Sequence, residues 1–392
     1  IGSYTVLVTV GATAVVAWSV GAGDYRTAAR ATHQALILAA LFGTVGAAGG
    51  MLFLDRLIAV LGLEGRSAEF AATYLWPMLA LLPFRVVEVA GVACLIGAGD
   101  TRTGLWVQGG IALTNIALAW TLSRGIGPWP GMGFVGVPLG TAISYMLAAI
   151  AVTAVLARGR AGLQIHVRGF RPDAALMRRI LRVSIPAGID SLSIIGGQLW
   201  FLHIVNTLGD TAAAAHGIAI GWEAPGYLSG YAFGTAAMTL VGQYLGARQP
   251  RWANRAGWTA FALACGFMSV MGAVFYAFAP GMFWLFCQDP GQAPVIQAGV
   301  PALRLIAFAM PALASTMIFT AALRGAGDTR VPVLFSLTGF LVVRIPLAYL
   351  LTAPAYEFGL YGAWLAMAAD LYVRGAFFAW RYISGRWKRS KV

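Results

Sequence analysis

Four carboxylates, Glu88, Asp190, Glu223 and Asp370, stand inside long apolar stretches of this 392-residue chain. An acid at the centre of a membrane-spanning helix costs on the order of 2.5 to 3.5 kcal/mol on insertion scales, so it is retained where it is paired or lines a polar cavity. Arg85 precedes Glu88 by three residues and Arg374 follows Asp370 by four, spacings that put each base on the same helix face as its acid. Asp190 has no such neighbour. Its nearest base is Arg182, two turns back, and Pro186 with Gly188, Gly196 and Gly197 lets this helix bend or pack closely. Asp190 is therefore read as an ion-coupling or substrate-binding acid. Glu223 lies between Trp222 and Pro225, a carboxylate and an aromatic ring that together suit a cation. His203 and His216 fit buried or interfacial hydrogen-bonding roles, and Arg344 can be the counter-ion of an acid elsewhere in the second half of the chain.

Other chemistries lack their residues. Neither G-x-x-x-x-G-K-[ST] nor H-E-x-x-H occurs, so ATP-driven transport and zinc hydrolysis have no residue set to carry them. A G-x-G-x-x-G pattern at Gly131, Gly133 and Gly136 follows no strand pattern and is not a dinucleotide site. Cys94, Cys265 and Cys287 share no metal-ligand spacing and read as packing residues. No metal, cofactor or enzymatic activity is expected, and the energy source is a transported H+ or Na+.

The elements that position these residues follow from composition. Hydrophobic residues make up 59% of the chain and charged residues 10%, against roughly 25% charged in soluble domains. Apolar windows fall near 4–22, 34–54, 70–97, 104–123, 134–157, 183–208, 217–246, 256–285, 298–323, 331–353 and 359–383, eleven predicted helical spans. Most of the 27 basic residues sit in alternate connections, notably the run from Arg158 to Arg182 and the tail from Arg386. Those segments are expected in the cytoplasm, with the chain in the cell inner membrane. This sidedness accounts for most of the +13 net charge, so no nucleic-acid partner is expected.

Gly97-Ala98-Gly99-Asp100-Thr101-Arg102 returns 228 residues later as Gly325-Ala326-Gly327-Asp328-Thr329-Arg330. Gly133 and Gly136 match Gly359 and Gly362 at an offset of 226, and 16–30 matches 241–255 at 225. The chain is thus two copies of one unit of six spans, an even number that gives both copies the same orientation. The predicted layout is an N-lobe over 1–157, a cytoplasmic linker over 158–182 and a C-lobe over 183–392. The first copy would then begin about 45 residues before Ile1, giving a parent of twelve helices with the first missing here. In each repeated turn, Gly97 and Gly99, or Gly325 and Gly327, allow a left-handed turn and close helix approach. Asp100 and Asp328 are expected to cap the helices that follow.

The two GAGDT motifs, Leu323-Arg324-Gly325, the run Thr239 to Ala247, Arg344-Ile345-Pro346-Leu347-Ala348-Tyr349 and Pro186-Ala187-Gly188 carry a further signal. Through them the sequence resembles the multidrug and toxic compound extrusion (MATE) family of secondary transporters over essentially its whole length. The resemblance implies an all-α polytopic membrane protein with two six-helix lobes around a central cleft, exporting amphipathic, cationic organic compounds against H+ or Na+. In one branch of the family the helix-7 acid lies two turns after the proline, where this chain has Ile194, and a helix-10 acid has no counterpart in 298–323. Another branch implies an N-lobe ion site to which Asn115 and Thr141 contribute, but Ala119 stands where its Asp would be.

The rival within the same superfamily, a lipid-linked saccharide flippase, calls for a strongly cationic cleft, whereas four intramembrane bases here face four acids. A membrane-embedded prenyl transferase would need paired acids for magnesium, and no D-D-x-x-D occurs. The expected partners are membrane lipid and small organic substrates, with the protein a monomer.

Overall fold

The computed structural model describes residues 2–60, 62, 64–127, 129–166, 170–356 and 358–390; Ile1, Arg168 of the linker, and Lys391 and Val392 of the tail lie outside them. Fourteen α-helices occur among the described residues. The first seven are α1 (Gly2–Gly21), α2 (Tyr25–Leu52), α3 (Leu54–Val60), α4 (Gly65–Ala80), α5 (Leu82–Gly97), α6 (Thr101–Arg124) and α7 (Gly136–Ala157). They are followed by α8 (Ala174–Asn206), α9 (Asp210–Gly246), α10 (Pro250–Trp284), α11 (Ala293–Gly325), α12 (Arg330–Thr338), α13 (Ile345–Thr352) and α14 (Gly359–Ile383). Each of the eleven predicted windows falls on a helix or a helix pair.

Eight helical stretches, with α12 through α13 as one, are long and apolar enough to cross a membrane, and nine if α4 and α5 form one span. That pair bends by 55° at Leu81, where Pro83 withholds an amide donor and crowds the carbonyl one turn earlier. Helices α9 and α14 have the length, at 37 and 25 residues, but glycines and aromatics dilute the first and Asp370, Arg374 and Arg381 the second.

The chain forms two compact units, Ile1–Ile185 and Pro186–Val392. In the first, α5 is the central helix, packed on α1, α2 and α7; in the second, its repeat counterpart α11 packs on α9, α10 and α14. Both are rich in fully buried small and branched residues, among them Val86, Ala90 and Leu95, and Ala314, Ile318 and Leu323. Helix α8 begins at Ala174, within the stretch 158–182 expected as the linker. The segment before α8 is pinned to α2: the His166 amide donates to His33 Nε2 at 3.0 Å, and Gln34 accepts from the Asp173 amide and donates to the Arg171 carbonyl, each at 2.9 Å. A two-residue antiparallel pair, Gly125–Ile126 with Trp129–Pro130, precedes Gly131. It is too short to be the strand of a dinucleotide fold.

The repeated turns divide the work between their glycines. Gly99 and Gly327 take the left-handed conformation, with φ of +95° and +83°. Gly97 and Gly325 instead permit close approach: a Cβ would lie 2.8 Å from the Thr13 carbonyl oxygen in the first copy and would collide with the Met238 carbonyl in the second. Thr13 and Met238 are themselves related by the repeat offset of 225. Asp100 caps α6, accepting from the Thr103 amide at 3.0 Å. Asp328 does not cap α12, contrary to expectation; its carboxylate accepts from Arg381 at 2.8 Å, and Thr329 begins the helix without a side-chain cap. A charge-assisted bond to a guanidinium outcompetes a neutral amide.

Candidate functional site

The second unit holds a buried charge cluster built from α9, α14 and the segment between α12 and α13. That segment, Gly339–Arg344, is a π-helical turn, a local widening frequent at functional positions. It ends at Arg344, only 1% exposed. Arg344 donates through Nε to Asp370 Oδ2 at 2.9 Å and lies 2.8 Å from it through Nη2. Arg374, one turn along α14, donates to both Asp370 oxygens at 2.7 Å. The Phe340 ring lies 4.5 Å from the Arg344 guanidinium and 4.6 Å from that of Arg374, and the Phe201 ring of α8 lies 5.6 Å from Arg344. Two residues make room for this packing: a Cβ on Gly339 would strike Asp370 and Arg374, and one on Gly197 would strike Phe340.

Two groups in this cluster lack a full complement of partners. Arg344 Nη1 is buried without a hydrogen bond. Glu223, on α9 and 8% exposed, makes no side-chain hydrogen bond or ion pair among the described residues, and Arg344 is the charged group within electrostatic range of it. Trp222, expected to share a cation with Glu223, instead donates to the Met282 carbonyl at 3.1 Å and packs edge-on against Phe286. Two arginines and Asp370 sum to one positive charge, so the cluster is neutral only while Glu223 is ionised. His216 on α9 is also buried and accepts from Trp364 Nε1 at 3.2 Å, whereas His203 is exposed.

Asp190 is not an unpaired acid. It forms a salt bridge with Arg324 of α11, with its second oxygen, Oδ1, buried and unpartnered. The window ending at residue 323 put Arg324 outside the span, but α11 continues to Gly325 and carries this base inside the fold. Its signal was the Arg immediately before the second GAGDT motif.

In the first unit, Glu88 pairs with Arg85 at 2.6 Å and accepts from Gln108 of α6 at 3.1 Å, while Arg85 also lies 4.3 Å from the Tyr145 ring. Asn115 donates to the Thr141 hydroxyl at 2.8 Å, so these two polar residues meet across α6 and α7. Ala119 is not spare space: its backbone packs against Gly140, where a Cβ would approach the Ala119 amide nitrogen to 2.7 Å. At the turn, partial burial works against the Asp100 charge. The hydroxyl and amide of Thr103 and the Arg160 guanidinium outweigh it and hold the carboxyl below its usual range. No group of three or more His, Cys, Asp or Glu side chains suited to a metal occurs among the described residues.

Known proteins are similar to this chain in sequence and in fold. The chain is 30% identical over 387 residues to a probable multidrug resistance protein NorM of Thermotoga maritima, covering 97% of this chain and 81% of that protein. It is 32% identical over 298 residues to a multidrug resistance protein NorM of Burkholderia vietnamiensis, covering 74% of this chain and 63% of that one. A crystal structure of MATE in complex with MaL6 superposes with a TM-score of 0.90 at 21% identity, over 98% of this chain and 86% of that one. A MOP superfamily transporter from Pyrococcus furiosus, described as having a binding pocket of reverse polarity, gives 0.91 at 22% identity, over 99% and 86%. The family model MatE matches residues 1–121 and 186–350, and the chain belongs to the MATE family of membrane transporters.

Proposed function

We propose that this protein exports amphipathic organic cations from the cell in exchange for protons, with Glu223 as the acid that carries the exchange. Support comes from the relatives named for multidrug resistance and, above all, from one observation: among the described residues Glu223 is the buried acid of the second unit without a bonded partner, within electrostatic range of Arg344, whose Nη1 makes no hydrogen bond. A proton on Glu223 leaves the cluster with a net positive charge, and its departure restores neutrality. At an effective dielectric of about 20, a unit charge a few Å away changes the energy of a bound cation by on the order of 2 to 4 kcal/mol, roughly a 30- to 700-fold change in affinity. The proton is favoured over sodium because Asp370, the other carboxylate of the cluster, is already engaged by two guanidiniums. Arg85, Arg324, Arg344 and Arg374 are paired with carboxylates, and Arg304, exposed on α11, donates to the Tyr276 carbonyl at 3.2 Å, which leaves less free positive charge than the pyrophosphate of a flippase substrate calls for. In this reading the basic linker and C-terminal tail face the cytoplasm.

Ethidium efflux from proteoliposomes, with proton and sodium gradients imposed separately, tests the proposal. Efflux driven by the proton gradient alone is expected. Efflux that responds only to sodium would replace the proposed ion, and none under either gradient would remove the proposal.

A further inference from the structure

We propose that the second unit carries a binding site for one anionic phospholipid of the cytoplasmic leaflet, in a groove between α9 and α10. The groove holds about 290 Å³ and is apolar along most of its length, through Phe233, Leu240 and Leu263. One end is different. Tyr244 and Trp252 stack there with ring centroids 6.3 Å apart, and the Arg255 guanidinium lies 5.3 Å from the Trp252 ring. Arg255 is exposed and has no carboxylate partner among the described residues. It sits five residues into α10 and Leu263 eight further, so the charge lies about 8 Å below the helix end and the apolar floor about 12 Å deeper. That is the order of a phospholipid, headgroup phosphate first and acyl chain after, entering from a leaflet surface. Arg248 and Arg251, also exposed, enrich the same end in positive charge, as the orientation proposed above places it on the anionic cytoplasmic side. The interfacial rings suit headgroup depth.

The groove is not a by-product of the repeat. At the offset of 225, Tyr244 and Trp252 correspond to Ser19 and Thr27, while Leu240 and Leu263 correspond to Val15 and Leu38, which are buried. Arg30, the counterpart of Arg255, donates to Thr27. The first unit has neither the aromatic pair nor the open floor, so the arrangement in the second is its own.

The test is native mass spectrometry of the full chain in detergent, titrated with phosphatidylglycerol or phosphatidylcholine of identical acyl chains, and with inorganic phosphate as competitor. The wild type is expected to retain phosphatidylglycerol about fivefold better than phosphatidylcholine, the preference one basic side chain provides at an anionic surface. Arg255→Gln should bring the two lipids level, and Leu263→Glu, an exposed position, should lower retention of both. Equal binding of both lipids by the wild type would overturn the proposal. So would an undiminished preference in Arg255→Gln, unchanged retention in Leu263→Glu, or displacement of the lipid by inorganic phosphate, which would mark a free-anion site instead.

Discussion

Asp190 and Glu223 are both buried acids, and their neighbours assign them different work. Asp190 has a guanidinium on it, so its charge is compensated inside the fold. Removing one member of a buried pair strands the other at a cost of about 3 kcal/mol or more. Arg324→Ala should therefore lower thermal stability in detergent by several degrees, whereas Asp190→Asn should lower it less and leave ethidium efflux per inserted molecule near normal. A larger loss of stability in Asp190→Asn than in Arg324→Ala would contradict this assignment. Asp100 offers a pH readout outside the membrane-spanning segments. Its folded pKa lies below the unfolded value of about 3.9, so its contribution is fully present above that value and is lost as pH falls through the lower, folded value. Asparagine keeps the cap but removes the charge. Asp100→Asn should thus be less stable than wild type at pH 7, by no more than about 1 kcal/mol because Arg160 is 59% exposed and screened, and the difference should shrink in melting curves as pH falls below the unfolded value of about 3.9.

At the scale of elements, the two GAGDT turns are the same device under different load. The Met238 carbonyl is backbone and cannot swing aside, so Gly325→Ala forces α9 and α11 apart, at about 1 to 3 kcal/mol. Gly97→Ala meets a less crowded carbonyl and should cost less; melting temperatures of the two variants check the order. These turns were legible in the sequence because a left-handed glycine and a capping acid leave local signatures. The helical spans were legible because apolar length is local, and Glu88 with Arg85 and Asp370 with Arg374 because helix neighbours recur at fixed spacing. The failures share a cause. Asp190 and Arg324 are 134 residues apart, and helix periodicity says nothing about partners on another helix. Arg344 was readable as a counter-ion but not as Asp370's, since the π-helical turn before it shifts its face relative to a regular helix. Asp328 was read as a cap by analogy with Asp100; Arg381, which claims it, belongs to the far end of α14.

For the whole molecule, the proposed function requires that a proton gradient do work on a second solute. Exchange of one proton for one monovalent cation moves no net charge, so the driving force is the pH gradient, and each pH unit, about 1.36 kcal/mol, holds roughly a tenfold gradient of the cation. Each of the two helical units holds a buried acid-base set, and the uneven distribution of partners picks out one acid among them. Glu88, Asp190 and Asp370 are each paired; Glu223 stands without a bonded partner among the described residues. The most direct measurement compares Glu223→Gln with wild type in proteoliposomes, normalised to inserted protein, for both proton-driven ethidium efflux and ethidium exchange without a gradient. The amide is fixed in the proton-bound charge state, so gradient-driven efflux should fall at least tenfold while the variant stays folded and inserted. Proton-driven efflux at the wild-type rate in Glu223→Gln would contradict the assignment of Glu223 as the coupling acid.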